Sequence, residues 1–294
     1  MKRLLASLLL LATCLFASAQ VIETPNYRST AEDIALAEML FKDLGARAGQ
    51  ESGPELMVRA ARSLLGQEYV AGTQEGREEK LRIYLTRTDC ILFAETCLGL
   101  VRTAKRCGDT ASFEDLAGTL VLSRYRDGVV DGYPSRLHYT TEWIRQGVRD
   151  GLFRDVTEEL GGVPDSRRID FMTAHPDSYA PLKGESGYAK ENRAAIARVE
   201  ERVNGIRRCY VPKEQLAEVE SGIRSGDILC FATSIEGLDY SHVVIAYREK
   251  PGDRLGFIHA SSSAGKVIVE PRTLEAYLLA NKRITGVTVL RLCD

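Results

Sequence analysis

Apolar positions in the first third of the chain recur at helical spacing. Thr30-Ala31-Glu32-Asp33 has the form of a capped helix start and leads into Ile34, Leu36, Leu40 and Leu44 before Gly45. Ser52-Gly53-Pro54-Glu55 opens a second helix, with Leu56, Ala60, Leu64 and Leu65 on one face and Gly66 as its stop. An apolar helix over 91–101 follows Asp89-Cys90, and another is predicted over 137–148, holding Trp143. From 161 to 190 the periodicity lapses amid paired glycines and prolines, which reads as a long loop walling or covering something. After the turn Ser225-Gly226-Asp227 the period shortens: 228–232, 242–247, 255–260 and 266–269 read as strands, then a helix over 274–281 and a last strand over 287–292. Helices first and an antiparallel sheet afterwards predict an α+β fold. No repeat or linker divides the pattern, so 20–294 reads as a single domain.

The first residues stand apart from this pattern. Lys2 and Arg3, an apolar run over 4–16 and Ala17-Ser18-Ala19 have the form of a cleaved signal peptide spanning 1–19, which predicts an exported, periplasmic protein. Leu11-Ala12-Thr13-Cys14 loosely matches a lipobox, the competing outcome being a lipid anchor at Cys14. The run is too short to cross a bilayer, and no later segment is long and apolar enough. Loss of Lys2 and Arg3 leaves 37 basic against 41 acidic residues, moving the net charge from −2 to −4. That balance offers no general basic surface for nucleic acid or anionic lipid. Cys90, Cys97, Cys107, Cys209, Cys230 and Cys293 lie beyond the leader, too few and too scattered for a disulfide scaffold.

Three residues carry candidate chemistry. Thr88 or Asp89 would cap the helix that Cys90 begins, and unpaired N–H groups with the positive end of the helix dipole there favour a thiolate. The same groups could receive an oxyanion, while the charge of Asp89 opposes the thiolate. Taken alone, such a cysteine is more often an inert buried thiol. His242 sits at the start of a strand apolar on both faces, and His259 lies 17 residues on, beyond a Pro251-Gly252-Asp253 turn. A hairpin would bring both near one register, one imidazole acting as base and the other holding its tautomer.

With these residues in view, the chain resembles the N-acetylmuramoyl-L-alanine amidase-like branch of the NlpC-type, papain-like cell-wall cysteine hydrolases. Tyr69-Val70-Ala71-Gly72, Asp89-Cys90, Ser225-Gly226-Asp227-Ile228, Ser241-His242-Val243 and Ile258-His259-Ala260-Ser261 carry the general likeness. Arg136-Leu137-His138-Tyr139 with Trp143, Met172-Thr173-Ala174-His175-Pro176 and Leu238-Asp239-Tyr240-Ser241-His242 carry that of the branch. The resemblance implies a papain-like fold in which N-terminal helices pack on the sheet, with a large insertion at about 107–215. It implies Cys90 as nucleophile, His242 as base and His259 as orienting residue, with no cofactor and no metal.

Tyr69, Asp89, Arg136, His138, Tyr139 and Ser241 are the implied substrate contacts. For Arg136, His138 and Tyr139 a buried polar cluster is the alternative; for Asp89, helix capping; for Trp143, the core; for Asp239, a turn. Ala71-Gly72-Thr73 and Ile91-Leu92 depart from ordinary NlpC enzymes, which places the usual D-glutamyl-diamino acid endopeptidase activity second. The expected substrate is peptidoglycan or a small anhydro-muropeptide, acted on by a monomer. A zinc amidase and an inactive wall-binding protein are the remaining alternatives.

Overall fold

The computed structural model describes residues 20–293 apart from Arg77; the expected signal peptide and the lipobox cysteine lie outside them. The helices are α1 (Ala31–Arg47), α2 (Gly53–Ser63), α3 (Cys90–Cys107), α4 (Phe113–Arg124), α5 (Thr140–Arg149), α6 (Phe171–Ala174), α7 (Gly187–Asn204), α8 (Leu216–Val219) and α9 (Leu274–Ala280). The strands are β1 (Val21–Glu23), β2 (Arg28–Thr30), β3 (Glu68–Tyr69), β4 (Arg87–Thr88), β5 (Phe153–Asp155), β6 (Val163–Pro164), β7 (Cys209–Pro212), β8 (Ile228–Thr233), β9 (Tyr240–Tyr247), β10 (Gly256–Ser261), β11 (Lys266–Val269) and β12 (Ile284–Leu292). Beyond the β1–β2 hairpin, the strands form one sheet in the order β4-β3-β11-β10-β9-β8-β12-β7-β6, with β5 also on β12. The fold is α+β, and the pairing is antiparallel except between β3 and β4.

The sheet is buried on both sides. Ile228, Cys230, Val243, Ile245 and Ile258 face Phe93, Ala94, Cys97 and Leu98 of α3. Alternation sends Leu229, Phe231, Val244, Ala246 and Phe257 the other way, against Leu274 and Leu278 of α9. Those strands therefore read as continuous apolar runs, as parallel or doubly covered sheets do.

The irregular stretch over 161–190 is more structured than a loop. Ile169, Met172 and Leu182 bury themselves against Ile196, Val199 and Val203 of α7, forming a small core of their own. The loop expectation is thus corrected in part: β6, α6 and the start of α7 fall inside it. Each contributes only two to four apolar residues, too few to show a period. The helix expected over 137–148 begins at Thr140, because the backbone N–H of Thr141 is capped by Asp239, 98 residues away.

The chain leading into Cys90 is held by one buried carboxylate. Asp33, in the first turn of α1, accepts the backbone N–H groups of Leu85 and Thr86, each at 2.8 Å, and the Thr86 hydroxyl. Its other oxygen takes the hydroxyl of Thr30, the N-cap of α1. Gly226 fixes a second junction: at φ +91° its missing Cβ leaves room for the carbonyl of Pro54. Asp33→Ala would remove the acceptor of one buried N–H, one half-buried N–H and two hydroxyls, and is expected to lower unfolding free energy by about 3 kcal/mol, read from urea melts. A wild-type midpoint would show the 85–86 segment to be held by other contacts.

Candidate active site

Cys90 is the first residue of α3. Asp89 is its N-cap, extended at φ −114°, with its carboxylate accepting the Leu92 N–H at 3.0 Å. Of the two roles open to Asp89, capping is the one the geometry shows. The half-buried thiol lies at the front end of β9, where the Val243 backbone N–H is directed at it along with those of Ile91 and Cys90 itself. β3 pairs with β4 so that Tyr69 lies opposite Thr88, close enough for Cys90 and Asp89 to raise the phenol pKa further, after burial.

The two histidines project from the other face of the sheet. Phe231 pairs with His242 while Ala232 pairs with Tyr240, so Ser241 is the extra residue of a β-bulge and faces solvent. His242 resumes the alternation on the side of Val244, and its ring lies 5.6 Å from that of Phe231. β10 pairs Ile258 with Ile245, which brings His259 diagonally across from His242 on the same face. Their nitrogens, His242 Nε2 and His259 Nδ1, are hydrogen-bonded at 2.7 Å. Both therefore face one helix, but that helix is α9, with Tyr277 6.1 Å from His259, and not the helix of Cys90. Thiol and imidazole thus belong to the same end of β9, on opposite faces of the sheet.

A cavity of about 240 Å³ opens beside the start of α3 and is lined by Asp89, Glu75, Glu95, Arg124, Arg136 and His138, among others. Arg124 pairs with Glu95 at 2.8 Å with both side chains buried, and Arg136 pairs with Glu75 at 2.8 Å and lies 3.4 Å from Glu79. His138 is hydrogen-bonded by Nε2 to the Tyr133 carbonyl at 2.8 Å. Tyr139 is placed elsewhere. Only 2% exposed, its hydroxyl donates to Glu200 and accepts the Met172 N–H, so of its two readings the buried cluster is the one that describes it. Trp143 is buried, its ring tilted against that of Phe153 at 5.0 Å, and it also lines this cavity. Asp239 is a buried cap joining α5 to β9.

Besides Glu75, Glu95 and Arg124 in the cavity, three residues beside the histidines were not singled out from the sequence as part of the site. Glu270, directly after β11, has a carboxylate oxygen 3.4 Å from His259 Nε2. Its other oxygen takes Arg272 Nε at 2.6 Å, and the Arg272 guanidinium stacks on Tyr277 at 4.5 Å. A lone glutamate after Val267-Ile268-Val269 looks like the end of a strand; only the pairing of β11 with β10 brings it under His259.

The family model described as AmiA-like, N-acetylmuramoyl-L-alanine amidase-like, matches residues 59–287. The chain belongs to this amidase-like family. An N-acetylmuramoyl-L-alanine amidase from Bacteroides uniformis is 34% identical over 82% of this chain and 99% of its own, at a TM-score of 0.75. A Bacteroides fragilis protein solved as a candidate xylanase is 36% identical over 80% of this chain and 100% of its own, at 0.73. A Legionella pneumophila protein, 18% identical over 90% and 97%, shares the fold at 0.67. No curated protein matches the chain.

In this member of the amidase-like family burial holds the thiol and its two histidines towards their uncharged forms. Burial, and then the charge of Asp89, push the Cys90 thiol up to about 12 against the pull of the nearby N–H groups. Burial and the neighbouring His259 take His242 down to about 3. His259 falls to about 4, burial outweighing Glu270, and buried His138 falls to about 3. A thiol and imidazoles held in their neutral forms would suit a proton that moves during bond formation rather than a standing ion pair. Among the described residues no three His, Cys, Asp or Glu side chains are grouped to hold a metal, and the two histidine nitrogens are spent on each other.

Two measurements check this state. Without substrate at pH 7, Cys90 is expected to react with iodoacetamide at least about tenfold more slowly than free cysteine. Peptide mapping is needed because Cys107 and Cys293 are also half-buried; a rate matching free cysteine would mean a thiolate. The second follows from linkage. Histidines held near 3–4 in the folded state and about 6.5 when unfolded let the unfolded chain bind more protons between those values. Their contribution is complete above about pH 6.5 and is lost as pH falls towards 3–4. His138→Gln is expected to flatten the fall of the urea midpoint between pH 7 and pH 5; an equally steep fall would remove His138 from the account.

Proposed function

We propose that the protein hydrolyses the amide joining the lactyl group of N-acetylmuramic acid to L-alanine, through a papain-like, NlpC-type thiol mechanism. The observation that carries the reading is a thiol at a helix N-terminus, at the end of the strand that bears an imidazole hydrogen-bonded to a second imidazole. Cys90 attacks the lactyl carbonyl as His242 takes its proton. The oxyanion is received by N–H groups of the first turn of α3, with the Tyr69 hydroxyl at hand. His242 returns the proton to the departing L-alanine nitrogen, leaving a thioester on Cys90. It then activates water, which releases the muramic acid and restores the thiol.

Arg136 and His138, in the charged cavity next to Asp89, are the groups that would meet the peptide. The 136–143 segment that walls this cavity supports a soluble muropeptide fragment over intact wall as substrate. Export to the periplasm and a monomeric state complete the reading. A glycosidase would need two available carboxylates flanking the bond. Here Asp89 caps α3 and Glu95 is locked to Arg124.

The test is digestion of defined anhydro-muropeptides followed by mass spectrometry. Free sugar plus an intact peptide beginning with L-alanine is the expected product pair. Products cut after the D-glutamyl residue would make the enzyme an endopeptidase instead. Cys90→Ala is expected to lose at least about a thousandfold in kcat, with chelators without effect. Wild-type turnover in that variant would end the thiol mechanism.

A further inference from the structure

His242 can serve as a base on only one of its two nitrogens. Nε2 is hydrogen-bonded to His259 Nδ1, so Nδ1 is the nitrogen left to take the thiol proton. A neutral imidazole carries one proton, and the His242–His259 hydrogen bond can be made in two ways. If His259 Nδ1 donates, His242 Nε2 accepts and its proton sits on Nδ1, where it blocks the base. If His259 Nδ1 accepts, His242 donates from Nε2 and Nδ1 is free. The second arrangement requires the proton of His259 to sit on Nε2.

Glu270 is placed to decide between them. His259 Nε2 is buried, has no well-formed hydrogen bond, and lies 3.4 Å from one Glu270 oxygen. An ionised carboxylate only accepts, so it favours the tautomer that presents N–H to it. Burial raises the Glu270 pKa, but the hydrogen bonds and charge of Arg272 more than offset this and the net shift is downward. Arg272 is itself braced on the Tyr277 ring, and the Glu270 backbone N–H donates to the Phe257 carbonyl at 3.0 Å.

We propose that Glu270 is a positioning residue that holds His259 as the Nε2–H tautomer and thereby leaves His242 Nδ1 as the proton-accepting nitrogen. The order of protons is then Cys90 S–H, His242 Nδ1 empty with Nε2–H, His259 Nδ1 accepting with Nε2–H, and the Glu270 carboxylate. When His242 takes the thiol proton, no other proton moves, and Glu270 remains an anion that steadies the imidazolium through His259. The inference rests on the proposed thiol mechanism but has a readout that does not.

Nitrogen-15 histidine spectra of the substrate-free protein at pH 7 report the tautomers. The wild type is expected to show both His242 and His259 protonated on Nε2. In Glu270→Ala the His259 Nδ1–H form is expected to appear, while Glu270→Asp retains the wild-type pattern at least in part. With substrate, Glu270→Ala is expected to lose at least about thirtyfold in kcat with KM within about threefold, and Glu270→Asp to recover part of it. Unchanged tautomers in Glu270→Ala overturn the proposal, as does a loss in KM alone. If Glu270→Ala does not fold, Glu270→Leu, which fills the space without an acceptor, is read instead, and a wild-type kcat there overturns it. Wild-type turnover by Cys90→Ala would remove the proposed nucleophile, whereas the spectra of the Glu270 variants would still decide what Glu270 does to His259.

Discussion

β9 is buried on both faces, and its register is the constraint on which the site depends. Val243 and Ile245 fill the space against α3, while Val244 and Ala246 fill the space under α9. A slip of one residue would exchange the two sets and carry His242 to the wrong face, so packing on both sides specifies the register strongly. The bulge at Ser241 then lets one strand keep Tyr240 on the α3 side and His242 on the α9 side. The catalytic geometry proposed here is a by-product of that packing.

The electrostatics follow from the same burial. Burial shifts Cys90, His242 and His259 towards their uncharged forms, because an ion there would lose water without sufficient compensation. Apart from Asp89, which caps α3, the charges flanking the centre are paired: Glu270 with Arg272 at one end, and Arg124 with Glu95 and Arg136 with Glu75 in the neighbouring cavity. The site thus has a neutral reacting centre between two paired polar regions. Such a layout supports proton transfer timed to bond formation.

Much of the frame was legible from residue pattern. The caps at Thr30, Ser52 and Asp89 mark three helix starts because a short polar side chain satisfies a free N–H there. The strands over 228–292 showed as apolar runs. Other elements were missed for identifiable reasons. α7 carries Ser186 as its cap and Ile196, Val199 and Val203 at helical spacing, a signal present but diluted by charged residues. β5, β6 and α6 are two to four residues long, and nothing that short has a period. Tyr139 and Arg136 stand three residues apart in one motif, yet one is sealed against Glu200 and the other lines the cavity. No local pattern separates those fates.

The sequence by itself determined which residues could do chemistry: a cysteine opening a helix and two histidines on strands, because cap, period and spacing are local properties. It also determined the α+β order of elements. The tertiary structure alone decided the face and the partner of each group. It set the histidines under α9 rather than α3, linked them at 2.7 Å, committed Asp89 to capping, and placed Glu270 beneath His259. Those outcomes depend on strand register and on which oxygen meets which nitrogen, and such distances arise only when segments far apart in the chain pack together.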